Sequence, residues 1–177
     1  MTRETMSPQK GRPKSLPPRL LAMAQHIRPT ATVIDVGTDH GYLPVFLAQQ
    51  GHSGRLIACD IAEKPLAKAR DNLCRRGLDQ RVALVLCDGI PTICGGFVGA
   101  VDIVIAGMGG ETIVGILQGA DLAKSSAFAR ADVTLLLQPM SRAGKLEEYL
   151  QSQNLAWQAY EVPEGRRRYV YYVVNLS

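Results

Sequence analysis

The chain has 177 residues, 46% of them hydrophobic and 20% charged, which suits one globular domain with one sizeable core. No apolar run is long enough to span a bilayer, and the first residues lack the continuous apolar stretch of a secretory signal, so a cytoplasmic protein is expected. The net charge of +4 is concentrated at one end: residues 1–19 hold Arg3, Lys10, Arg12, Lys14 and Arg19 against Glu4, and the rest of the chain is balanced.

Residues 1–14 form a Pro-, Ser- and Lys/Arg-rich arm, expected to be disordered. Two readings of it stand open, a phosphate contact and a solvated tail. Residues 15–177 are expected to form a single domain. A helix is predicted over 16–27 with Leu20, Ala24 and Ile27 inward, then a strand over 31–35. A helix over 43–50 follows, ended by Gly51, and then a strand over 55–60. The helix over 63–75 carries Pro65 in its first turn and Leu66, Ala69 and Leu73 inward. Strands over 81–86 and 101–106, a helix over 110–118, a strand over 132–137 and a helix over 142–152 complete the alternation.

These strands are near-continuous apolar runs, the pattern of a parallel sheet covered on both faces. The chain's end differs. Residues 155–162 and 168–175 read as two strands joined by a Pro-Glu-Gly-Arg turn, hence an antiparallel hairpin. The expected fold class is α/β, with a seven-stranded, mostly parallel Rossmann-like sheet ending in that hairpin. This layout is similar to the class I methyltransferase sheet. A plain dinucleotide fold more often continues with a parallel sixth strand.

Ligands of doubly wound sheets bind beyond the carboxyl ends of the strands, so the residues there are the candidates. The first strand leads into Asp35-Val36-Gly37-Thr38-Asp39-His40-Gly41. Gly37 and Gly41 allow a tight turn and close backbone approach. This is not GxGxxG, and Asp39 puts negative charge where a pyrophosphate would sit. A carboxylate there suits a cationic ligand, such as the amino and sulfonium groups of S-adenosylmethionine; an ordinary glycine turn is the plainer alternative. Asp60, 23 residues beyond Gly37, can accept hydrogen bonds from ribose hydroxyls or cap the next helix. Asp88-Gly89 can read an adenine edge or form a solvent-facing turn. Gly107-Met108-Gly109-Gly110 leaves main chain bare for a flat base, or is a flexible turn. Gln138, before Pro139 and Met140, can hydrogen-bond a base edge or is an ordinary polar residue of a loop.

His26 and His52 are expected at the surface, and Cys59, Cys74, Cys87 and Cys94 as small buried hydrophobes. No cysteine spacing suggests a metal site.

The stretches Asp35 to Pro44, Asp60 with Pro65-Leu66, Asp88-Gly89, Gly107 to Gly110, Gln138-Pro139, and Glu161 with Tyr169 resemble, in this order, the bacterial tRNA (adenine-22 N1)-methyltransferase family. The resemblance implies S-adenosylmethionine as cofactor and tRNA as substrate. The cofactor-binding candidates are Asp35, Gly37, Asp39, Tyr42, Asp60, Ile61, Asp88, Gly89 and Gly107. The catalytic candidates are Asp39, His40, Gly107, Met108, Gly109 and Gln138. RNA contact is expected through the basic arm and Arg166, Arg167 and Arg168. Two departures stand out: with its last residue at Ser177 the chain is expected to lack the family's C-terminal helical domain, and Met140 stands where the family usually has Asn after Gln-Pro. The alternatives are methylation of another RNA base or of a small molecule, and a non-catalytic S-adenosylmethionine- or nucleotide-binding module.

Overall fold

A computed structural model describes residues 16–92, 96–122 and 124–176. Its elements run α1 (Pro18–Ala24), β1 (Thr32–Val36), α2 (Tyr42–Gln49), β2 (Leu56–Asp60), α3 (Glu63–Cys74), β3 (Val82–Leu86), β4 (Val98–Gly109), α4 (Gly110–Ala120), β5 (Arg130–Ser141), α5 (Ala143–Ser152), β6 (Trp157–Glu164) and β7 (Arg167–Leu176). The basic arm, Cys94 and Ser177 lie outside the described residues.

One seven-stranded sheet has the order β3-β2-β1-β4-β5-β7-β6. The first five strands pair in parallel, and β7 runs antiparallel to both β5 and β6. The strand order reverses between β1 and β4, so a crevice opens there at the carboxyl edge.

Period-two alternation sends each strand's side chains to two cores. Ile34, Ile57, Ile103 and Leu135 face α4 and α5, whose Ile113, Leu117, Leu146 and Leu150 close that side. Val33, Leu56, Val104 and Leu136 face the other side, covered by Met23 of α1, by Leu43 and Leu47 of α2 and by Leu73 of α3. Leu66 and Ala69 of α3 are buried as expected, which leaves the opposite face of that helix to solvent.

The structure corrects several expectations. The first helix is shorter, and its fully buried anchor is Met23, while Leu20 and Ala24 are only partly covered. His52 is buried, its Nε2 2.9 Å from the Ala31 carbonyl. His26 is half-buried against β6 and β7, with Nε2 3.0 Å from the Tyr171 hydroxyl. Cys74 is exposed, because it falls on the outer side of α3. Strands β4 and β5 each run to 12 residues, since their pairing continues through the glycines and Pro139 that read as loop.

A charged pair at the amino edge had no sequence signal beyond an acid inside an apolar strand. Asp102 of β4 is fully enclosed and accepts hydrogen bonds from the Arg28 backbone N–H (2.7 Å) and Nε (2.8 Å). Arg28 also donates to Asp132 Oδ2 (2.6 Å) and to the carbonyls of Val101 (3.0 Å) and Asp132 (2.8 Å). One guanidinium thus ties the turn before β1 to the starts of β4 and β5.

Candidate active site

The chain leaves β1 through a turn with three positive φ angles, at Gly37 (+72°), Asp39 (+45°) and Gly41 (+67°). Asp tolerates the left-handed region better than most residues because its short side chain bonds locally. The turn is pinned from below: the N–H groups of Gly37 and Thr38 both donate to the Cys59 carbonyl, at 2.9 and 3.0 Å. The Thr38 hydroxyl donates to Asp35 Oδ2 at 2.6 Å. From the side, the buried amide of Asn72 donates to the His40 carbonyl at 2.9 Å. A Cβ on Gly41 would lie 3.1 Å from the Cβ of Ala69, so α3 packs tightly on this turn.

The second wall follows β4. The ladder to β5 is shifted on both sides of Met108: Gly107 (φ +80°) is skipped on β4 and Met140 on β5. The Gly107 N–H is taken by Gln138 Oε1 at 3.2 Å, while Gln138 Nε2 donates to the Pro139 carbonyl at 2.8 Å. Gln138 is fully buried with both amide ends engaged. It therefore holds the bulge and does not present an edge to a base, which corrects the expectation. Met108 reaches across the crevice: its Cε lies where a Cβ of Gly37 would be, at 2.0 Å. The two glycine-bearing segments thus face one another at the switch point.

Acids line the carboxyl edge. Asp60 ends β2 and accepts a hydrogen bond from the Ala62 N–H at 3.0 Å, a local turn that leads into α3 without capping it, since the N-cap position is Ala62. Asp88 is exposed, and next to it the Gly89 carbonyl receives the thiols of Cys87 (3.5 Å) and Cys59 (3.7 Å). Burial pushes both thiols up in pKa, which disfavours the reactive thiolate. Asp39 is 61% exposed; its carboxylate lies 3.5 Å from His40 Nε2 and 3.7 Å from Lys68 Nζ. The His40 ring stacks on Tyr42 at 5.2 Å. Ile61, 67% exposed, and Tyr42 and Met140 put apolar surface on this rim. Sequence reading passed over Lys68 and Asn72. The helical period carried a signal for both, since one lies opposite the Leu66–Ala69–Leu73 stripe and the other beside it.

Asp35 is the perturbed carboxyl group. Burial pushes its pKa up to about 6 from 3.8; the Thr38 hydroxyl opposes this, and the neighbouring charge of Asp60 adds to it. The fold therefore binds the proton more tightly than the unfolded chain. This favours folding fully below about pH 4 and is lost as pH rises through about 6, leaving the ionised acid costing about 3 kcal/mol. Asp35→Asn is expected to match wild type near pH 4 and to have the higher urea midpoint above pH 7. A difference that does not change between pH 4 and 8 would contradict the burial argument.

A strand order of 3-2-1-4-5-7-6, with a glycine-bare crevice at the β1/β4 reversal and an acid after each of β1, β2 and β3, defines a class I methyltransferase sheet. The chain belongs to the methyltransferase-domain family, whose profile matches residues 16–173. It is 33% identical over 139 residues to the tRNA (adenine(22)-N(1))-methyltransferase of Bacillus subtilis strain 168, covering 78% of this chain and 55% of that protein. It thus spans about half the length of this curated relative. The crystal structure of the B. subtilis tRNA methyltransferase TrmK superposes with a TM-score of 0.75 at 29% identity, over 92% of this chain and 67% of that one. A putative tRNA methyltransferase of Streptococcus pneumoniae in complex with S-adenosyl-L-methionine gives 0.72 at 29% identity, over 89% and 71%.

Proposed function

We propose that this chain methylates N1 of an adenine in tRNA, position 22, using S-adenosylmethionine. The observation that carries the reading is the crevice between Gly37 and the Gly107–Gly110 segment, walled by glycines with Met108 as the one side chain reaching across it and rimmed by carboxylates, in a chain similar to tRNA adenine methyltransferases. S-adenosylmethionine would supply the methyl group, carried on a cationic sulfur.

The residues present fit that group. Gly37 and Gly107 let backbone approach it, and Asp60 is placed to accept hydrogen bonds from ribose hydroxyls once its contact to Ala62 loosens. The exposed face of Ile61 suits an adenine ring, with Asp88 and Gly89 beside it for the exocyclic amine. Asp35, the most buried of the acids at this edge, supports the turn from below, and the ring of Tyr42 flanks it.

Adenine N1 carries a lone pair at neutral pH, so no strong base is needed before attack. The protein's work is then to hold donor and acceptor in line. As the N–CH3 bond formed and the S–CH3 bond broke, positive charge would pass from sulfur to the base, and the exposed Asp39 carboxylate would stabilise it, with His40 orienting that group. The target base must leave its stack to reach the Gly107–Gly110 lip.

Arg166 sits in the β6–β7 turn, and Arg167 and Arg168 open β7. Because β7 runs antiparallel to β5, this turn lies on the same edge as the crevice, where it can meet phosphates. Arg168 is paired there with Glu161 at 3.3 Å.

Incubation with labelled methyl donor and unmodified tRNA, followed by nucleoside analysis, tests the reading. N1-methyladenosine at position 22 is expected. Methylation of another base, or of small molecules only, would replace the substrate. Donor binding without transfer to any acceptor would leave a binding module. In the same preparation, Asp60→Ala should weaken donor binding in calorimetry by about 1 kcal/mol or more. Unchanged affinity would sink the ribose assignment.

A further inference from the structure

The outer face of α3 carries a row of cations, two of which, Lys64 and Arg75, neither the fold nor the chemistry above uses. Leu66, Ala69 and Leu73 point into the core, so the opposite side of the helix faces solvent. At 100° per residue, Lys64, Lys68 and Arg75 fall within about 40° of one another on that side. All three are exposed. The stripe rises about 16 Å along the helix from Lys64 to Arg75.

Its upper end is anchored at the site. The α3 helix starts directly after β2 and Asp60, at the carboxyl edge, and Lys68 Nζ lies 3.7 Å from the carboxylate of Asp39. Among the described residues, Lys64 and Arg75 form no ion pair. Asp71 is the one acid on this face. A row of exposed cations with one end at a catalytic mouth adds favourable potential for a polyanion entering that mouth.

We infer that the Lys64–Lys68–Arg75 face of α3 is a docking track for the phosphate backbone of the RNA substrate. This rests on the tRNA reading above and adds to it a surface on the side of the crevice away from the Arg166–Arg168 turn. With the crevice between these two basic regions, an RNA held on both would present a base to the Gly107–Gly110 lip.

The test uses the full chain with Lys64 and Arg75 replaced by Ala together, leaving Lys68 in place beside Asp39. A control replaces Arg55 and Arg130, two exposed cations at the opposite edge of the sheet, and so removes the same net charge. Binding of unmodified tRNA is measured from about 0.05 to 0.3 M salt. The Lys64/Arg75 variant is expected to bind about tenfold or more weakly at 0.1 M, with a log–log salt slope shallower by about two. The control should keep the wild-type slope, and all three proteins should bind methyl donor equally.

Equal losses in variant and control would reduce the effect to net charge and overturn the track. A wild-type slope in the variant would overturn it as well, and stripe-dependent binding of poly-glutamate alongside that result would assign the face to an acidic protein. If wild type itself binds donor but not tRNA, the tRNA reading fails first and the track falls with it.

Discussion

An Asp39→Ala enzyme is expected to lose about a hundredfold in kcat at saturating methyl donor while keeping its fold. The figure follows from what one preorganised group at a developing charge contributes in other active sites, about 2.7 kcal/mol or more. Asp39 is suited to the role by its backbone. It sits at φ +45° between two left-handed glycines, so the carboxylate is held out from the turn and not folded into it. Its neighbours His40 and Lys68 approach at 3.5 and 3.7 Å, longer than a strong charge-assisted hydrogen bond. The carboxylate therefore keeps capacity to meet a further cation. Because the side chain is mostly exposed, its removal opens no cavity; Ala fits the left-handed φ less well than Asp at a cost of about 1 kcal/mol, so the thermal midpoint should fall by only a few degrees. Single-turnover methylation separates this from a binding defect: the rate should fall while donor affinity stays within a few-fold. Turnover equal to wild type would remove Asp39 from the chemistry and leave the acid as a turn-former.

Asp102→Ala is expected to destabilise the fold by about 3 kcal/mol or more, the typical penalty for breaking a buried, hydrogen-bonded charge pair. The lost carboxylate accepts from both the backbone N–H and the guanidinium of Arg28, so two donors lose their partner at once. Arg28 keeps Asp132 and remains 30% exposed, which places the cost nearer the lower end of the usual range. For a chain of this size, about 3 kcal/mol lowers the thermal midpoint by roughly 6–12 °C. Urea denaturation of wild type and variant provides the measurement, and a loss under about 1 kcal/mol would mean that the pair is not a structural tie. Since Arg28 and Asp102 lie at the amino edge, away from the crevice, donor affinity measured well below the midpoint should be preserved.

The course of the strands along the chain, the hairpin and the acids at the strand ends were legible in the sequence, because each depends on local physics. Apolar runs of four to six residues bounded by Gly and Asp are strands whatever packs on them. A chain leaving such a strand through Gly37 and Gly41 must turn tightly. The period of α3 likewise gave its buried stripe before any neighbour was known. Motif order then carried the resemblance to a methyltransferase sheet, which the strand order and the family match bear out.

Tertiary structure decided the rest, wherever a residue's role depends on a distant partner. Gly107 and Pro139 read as breakers, yet β4 and β5 continue past them because Gln138, buried beneath, takes the N–H that the bulge leaves free. The same contact turns Gln138 from a base-reading candidate into a support. Asp102 in an apolar strand has no meaning without Arg28, 74 residues away. His52 becomes a core residue only because the Ala31 carbonyl, 21 residues earlier, lies within reach of its ring. Lys68 meets Asp39 only because α3 folds back over the turn after β1. Local sequence sets dihedral preference and which face is apolar. Which polar atoms meet is fixed only when the strands assemble, since an enclosed polar group must find whatever partner that assembly brings near.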